Sequence, residues 1–92
     1  MDRKEILDTA AAAVLVNRAA VYSPPEQSFG QIAALWSAYM GAEYTPIDVA
    51  IFMALVKVAR IKAMHGHEDS WVDLAGYAAC GGEIATKGAA NA

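Results

Sequence analysis

Two cations and two carboxylates carry the chemical interest of this chain. Lys57 and Arg60 stand in Val49-Ala-Ile-Phe-Met-Ala-Leu-Val-Lys-Val-Ala-Arg-Ile61, a run that is otherwise apolar. A helix apolar on all sides is usually a central one. A lone charge is costly to bury, so an acidic group should face these two. Asp69 and Asp73, spaced i, i+4, are the nearest candidates and share one helix face. The pattern has two readings. In one, Asp69, Asp73 and Glu26 hold Mg²⁺ through carboxylate oxygens, and Mg²⁺ bridges to substrate phosphates. Lys57 and Arg60 then neutralise phosphate charge. In the other, Asp69 complements the dipole of its helix and Asp73 pairs with Lys57 or Arg60. Spacing alone leaves both open.

Other reactive residue types are weaker candidates. His65-Gly-His67 lacks the fuller ligand set of a zinc site and reads as a solvent-facing loop. Cys80 has no base near it in sequence and lies in an apolar stretch, which suits a small core residue. Trp71 lies between Asp69 and Asp73 in sequence. About 100° of turn per residue takes it off their face, so it either packs in the core or stacks on a nucleotide base nearby. No Gly-rich phosphate loop or nucleophile elbow is present.

The elements that must position these groups read as four helices without strands. The first spans roughly Arg3 to Ala20, capped by Asp2 with Glu5, and its apolar side comprises Ile6, Leu7, Ala10, Ala13 and Val14. Ser23-Pro-Pro-Glu26 opens the second with a serine cap, an early proline and a glutamate closing a capping box. Its apolar face comprises Phe29, Ile32, Ala33, Leu35, Trp36 and Tyr39, and Gly41 ends it. Thr45-Pro-Ile-Asp48 launches the third helix, which stops near Met64. The fourth runs from Glu68 to about Thr86. Its Gly81-Gly82 either admits a close helix backbone or breaks the helix. The expected fold is an all-α, four-helix, bundle-like single domain over residues 1–86, with a frayed tail over residues 87–92.

Size and composition bound the function. In a chain of 92 residues, 57% of them hydrophobic, the apolar surface exceeds what one small core absorbs, so a homo-oligomer is expected. A net charge of −3 without a basic stripe gives no reason to expect nucleic acid. One cysteine suits a reducing compartment. No signal peptide or membrane span is apparent, so a cytoplasmic protein is expected.

Several segments together resemble a known group. They are Arg18 with Tyr22, Glu26 with Phe29, and Ile32-Ala-Ala-Leu-Trp-Ser-Ala-Tyr39. Then come Asp48-Val-Ala50, Lys57-Val-Ala-Arg60 and Asp69-Ser-Trp-Val-Asp73-Leu-Ala-Gly-Tyr77-Ala-Ala-Cys80. Over nearly its whole length the chain looks like small phage and prophage proteins of unknown function. Those in turn resemble the MazG-like all-α nucleotide pyrophosphohydrolases. That resemblance implies Mg²⁺-dependent hydrolysis of a nucleoside triphosphate, with Glu26 and Asp73 catalytic and Glu26, Asp69 and Asp73 holding metal. Lys57, Arg60 and Trp71 would bind the nucleotide. MazG-like enzymes carry Glu-x-x-Glu and Glu-x-x-Asp, where this chain offers Glu26, then Asp69 and Asp73. The phage pattern has Tyr-Gly and Asn-Phe where this chain has Tyr22-Ser23 and Ser28-Phe29. The alternative implied is a non-catalytic phage protein in the bacterial host's cytoplasm. It would bind or sequester a nucleotide signal, or occupy a host defence protein.

Overall fold

A computed structural model describes residues 1–17 and 24–90. These form four α-helices and no strand: α1 (Arg3–Ala11), α2 (Pro25–Met40), α3 (Pro46–Ala63) and α4 (Glu68–Ala90). The all-α expectation holds. α1 passes directly into a π-helical segment, Ala12–Asn17, where one uninterrupted α-helix was expected. Residues 18–20 of that expected helix lie outside the described residues.

Capping chemistry sets the starts of α1 and α3. The Asp2 carboxylate accepts from the Glu5 amide at 2.8 Å and the Glu5 side chain reaches back to the Asp2 amide. Thr45 and Asp48 make the same reciprocal pair, with the Thr45 amide donating to Asp48 at 2.9 Å. α2 departs from the expected box. Its cap position is Pro24, which has no side-chain acceptor, and Glu26 closes no box; Ser23 lies outside the described residues. The carbonyl of Pro24 instead accepts the amides of Gln27 and Ser28 at 3.0 and 3.1 Å. Gly41 ends α2 with φ 68°, a left-handed conformation that favours glycine.

Ser37 fixes the α2–α3 turn. Its hydroxyl donates to the Ala33 carbonyl at 2.7 Å and accepts from the Tyr44 amide at 2.9 Å. Tyr44 is thereby seated edge-on to Trp36 and Phe52, which stack on each other at 5.9 Å between ring centroids.

The core is small: Phe29, Ala33, Val49, Ala50 and Cys80, with Val14, Ile32, Trp36, Tyr44, Met53, Tyr77 and Ile84 packed against it. Cys80 is buried here as expected. On α2 the buried stripe is Phe29, Ile32, Ala33 and Trp36, the i, i+3, i+4, i+7 set. Leu35 and Tyr39 fall off that stripe and are exposed, against expectation. Leu7 on α1 is likewise exposed.

α3 and α4 pack most intimately. A Cβ added at Gly81 would lie 2.7 Å from Ala50 Cβ, closer than carbon atoms can approach. Gly81 therefore admits the neighbouring helix, and α4 continues unbroken past Gly82 to Ala90. Residues 87–90 of the expected tail continue α4, and residues 91–92 lie outside the described residues. Lys87 sits within the helix, held by Glu83 and Glu26 at 3.1 Å each.

α3 is not the fully enclosed helix its composition suggested. Val49, Ala50 and Ile61 are buried, but Ile51, Phe52, Leu55, Val56 and Val58 are each at least 40% exposed. No helix among the described residues is long and apolar enough to cross a membrane.

Candidate functional site

The four-residue loop Met64–His67 folds α4 back along α3, so the C-terminal turns of α3 meet the N-terminal turns of α4. His67 is half-buried rather than solvent-facing. Its Nδ1 lies 2.7 Å from the hydroxyl of the buried Ser70, and its carbonyl accepts the Ser70 amide at 3.2 Å. His67 thus anchors the start of α4, and Glu68 and Asp69 fill its first turn. Anionic side chains are favourable there.

This hairpin brings Lys57 and Asp73 together. Lys57 Nζ lies 2.9 Å from Asp73 Oδ2, with the lysine side chain 12% exposed and the aspartate 47%. The lysine stem is covered by packing while its ammonium reaches the open edge of the pair. Arg60, three residues on along α3, and Asp69, four residues back along α4, are both exposed, and neither makes an ion pair among the described residues. The expectation that both cations need an acidic partner holds for Lys57 alone. Arg60 is exposed, so its charge carries no burial cost.

Glu26 stands elsewhere. Its carboxylate accepts from Lys87 at 3.1 Å, bridging the start of α2 to the last turns of α4. Its carboxyl titrates below the usual range, chiefly because its own backbone amide donates to it and then because of Lys87. Lys87 is raised by its hydrogen bonds to Glu83 and Glu26. Among the described residues no group of three His, Cys, Asp or Glu side chains is placed to hold a metal ion. Glu26, Asp69 and Asp73 are therefore not gathered into one metal-binding group within this chain.

Trp71 is also separate. Its indole N–H donates to the His65 carbonyl at 2.7 Å, and it lines a recess with Met1, Ile6, His65, Gly66 and Glu68. The Asp73 carboxylate instead borders a cavity of about 120 Å³ lined by Val14, Phe29, Val72, Gly76, Tyr77 and Cys80. Drug-sized ligands fill about 300 Å³ or more.

Sequence reasoning missed three features: the Ser37 bridge, the Glu26–Lys87 bridge and the π-helical segment. A serine in mid-helix seven residues before Tyr44 is the visible trace of the first. The second joins residues far apart in sequence, so spacing carries no sign of it.

The fold and site define an all-α helical domain whose α3–α4 hairpin is tied by the half-exposed Lys57–Asp73 ion pair. Residues 5–85 match the family described as Domain of unknown function (DUF6378), and the chain belongs to that family. It is 42% identical over 77 residues to the Gene 55 protein of Mycobacterium phage D29, covering 84% of this chain and 51% of that protein. It is 45% identical over 74 residues to the Gene 55 protein of Mycobacterium phage L5, covering 79% of this chain and 47% of that protein. The chain thus spans about half the length of these phage relatives. No solved structure matches it.

Proposed function

We propose that this domain binds a nucleotide by its phosphates at Arg60 and Asp69 of the α3–α4 hairpin, with Mg²⁺ entering as the metal–nucleotide complex. The observation that carries the reading is the difference between the two cations of α3. Asp73 occupies Lys57, while Arg60, three residues on, is exposed and makes no ion pair among the described residues. A guanidinium held this way suits bidentate phosphate recognition. Mg²⁺ commonly binds one or two carboxylates and completes its shell with water and substrate phosphates. Asp69 and Asp73, one turn apart, fit that partial role without a third carboxylate. Trp71 would act only through a base extending around the hairpin tip.

Hydrolysis to monophosphate and pyrophosphate is the second reading. The resemblance to MazG-like enzymes favours it, as does the pairing of Asp73 with Lys57. It requires a further carboxylate to orient water, and Glu26 is engaged with Lys87 instead. Sequestration of a nucleotide signal by a phage protein is therefore the better supported mode.

Calorimetric titration with a panel of linear and cyclic nucleotides, with and without Mg²⁺, tests both readings. Binding without product, checked by chromatography, supports sequestration. Binding with Mg²⁺-dependent pyrophosphate release supports hydrolysis. No binding by any member sinks both.

A further inference from the structure

The outward side of α3 carries a regular seam that the described residues leave largely exposed. Ile51, Leu55 and Val58 are exposed by 51%, 57% and 47%. Asp48 precedes them and Lys62 follows, giving the order Asp48, Ile51, Leu55, Val58, Lys62 at spacings of three and four. At about 100° per residue these five fall within roughly 80° of arc. That is the 3.5-residue repeat of a coiled-coil seam.

The charges at its ends are opposite and equidistant from Leu55. Asp48 lies seven residues before it and Lys62 seven after, so each end is about 10 Å from the centre. We propose that this seam is a twofold homodimer interface in which two α3 helices run antiparallel and cross at Leu55. Reversing one helix about Leu55 sets Asp48 of each copy against Lys62 of the other. It sets Ile51 beside the Val58–Ala59 turn of the second copy. The Asp48 Oδ2 atom serves the Thr45 amide, which leaves its other oxygen for the second copy. Lys62 is exposed and makes no ion pair among the described residues. A parallel arrangement would instead oppose like charges at both ends. The antiparallel one also opposes the two helix dipoles favourably.

Surface area supports a partner of this size. The chain exposes 6258 Å². A folded monomer of 9.7 kDa exposes about 5,100 Å², so the excess is roughly 1,100 Å². A standard interface buries about 800 Å² per partner. The Lys57–Asp73 pair lies on another side of α3, so this inference stands apart from the proposed function.

Sedimentation velocity across micromolar to millimolar protein tests it. The wild-type chain should dimerise. Leu55→Asp and Leu55→Lys should each weaken association at least tenfold with helical circular dichroism unchanged, because Leu55 is already exposed within one chain. Asp48→Lys and Lys62→Glu should each associate poorly alone, and an equimolar mixture of the two should restore a heterodimer. A short bis-maleimide should cross-link Leu55→Cys to itself and leave the wild-type chain, with its buried Cys80, unlinked. A wild-type chain that stays monomeric, or a dimer indifferent to both Leu55 substitutions, overturns the proposal.

Discussion

Lys57 Nζ and Asp73 Oδ2 meet at 2.9 Å across the α3–α4 hairpin, with the lysine nearly covered and the aspartate half-exposed. The pair ties the two helices, while Arg60 and Asp69, on the same hairpin, are exposed. The two partners should therefore respond unequally to removal.

Asp73→Asn leaves a largely covered lysine side chain without its counter-charge. Lys57→Met keeps the apolar stem and leaves a carboxylate that water already reaches. Asp73→Asn should cost about 1 kcal/mol of unfolding free energy, discounted because one side of the pair is solvated, and Lys57→Met should cost less. Urea unfolding of the two variants checks the order. The reverse order would mean that the lysine charge, rather than its burial, sets the local balance.

The two adjacent glycines of α4 should behave oppositely. An alanine at Gly81 drives its methyl into Ala50, while Gly82 has open space around the same position. Gly82→Ala should stabilise by up to about 1 kcal/mol through helix propensity. Gly81→Ala should destabilise by about 1–2 kcal/mol, because overpacking against a short side chain outweighs that gain. Thermal denaturation of both variants reads the difference in sign.

Acid should release the Glu26–Lys87 bridge. The folded-state pKa of Glu26 is depressed, so its contribution is present above the ordinary carboxylate value and is lost as pH falls through the folded value. Lys87 is raised, so its contribution is complete below the ordinary lysine value and is lost as pH rises through the folded one. The bridge should persist across the interval between these limits. Both groups are well exposed, so the effect on total stability should be small. NMR of the Lys87 side chain over an acid titration should follow the Glu26 transition, and a Glu26→Gln chain should show no such step.

The helices were legible because their starts are written locally. Asp2 with Glu5 and Thr45 with Asp48 satisfy helix-end amides through residues three apart, and the structure keeps both boxes. Ser23 looked equally suited but lies outside the described residues, and the cap position of α2 falls on Pro24, which offers no side-chain acceptor. Lys57 and Asp73 were legible as candidates because opposite charges flank one short loop. Their exclusive pairing was not, since it depends on which side chains the helix crossing brings within reach. Glu26 was drawn into the same set by residue type alone. Its true partner, Lys87, lies 61 residues away and is set by where α2 meets the end of α4. The apolar run of α3 suggested full enclosure, but a chain this short has too few elements to cover every side.

The most direct test of the account is titration of an Mg²⁺–nucleoside triphosphate into the wild-type chain and into Arg60→Gln. The account predicts saturable binding by the wild-type chain. It also predicts at least tenfold weaker binding by the variant, with unchanged thermal stability because Arg60 is exposed and makes no ion pair among the described residues. Equal binding by both chains, or none by the wild-type chain, would contradict it.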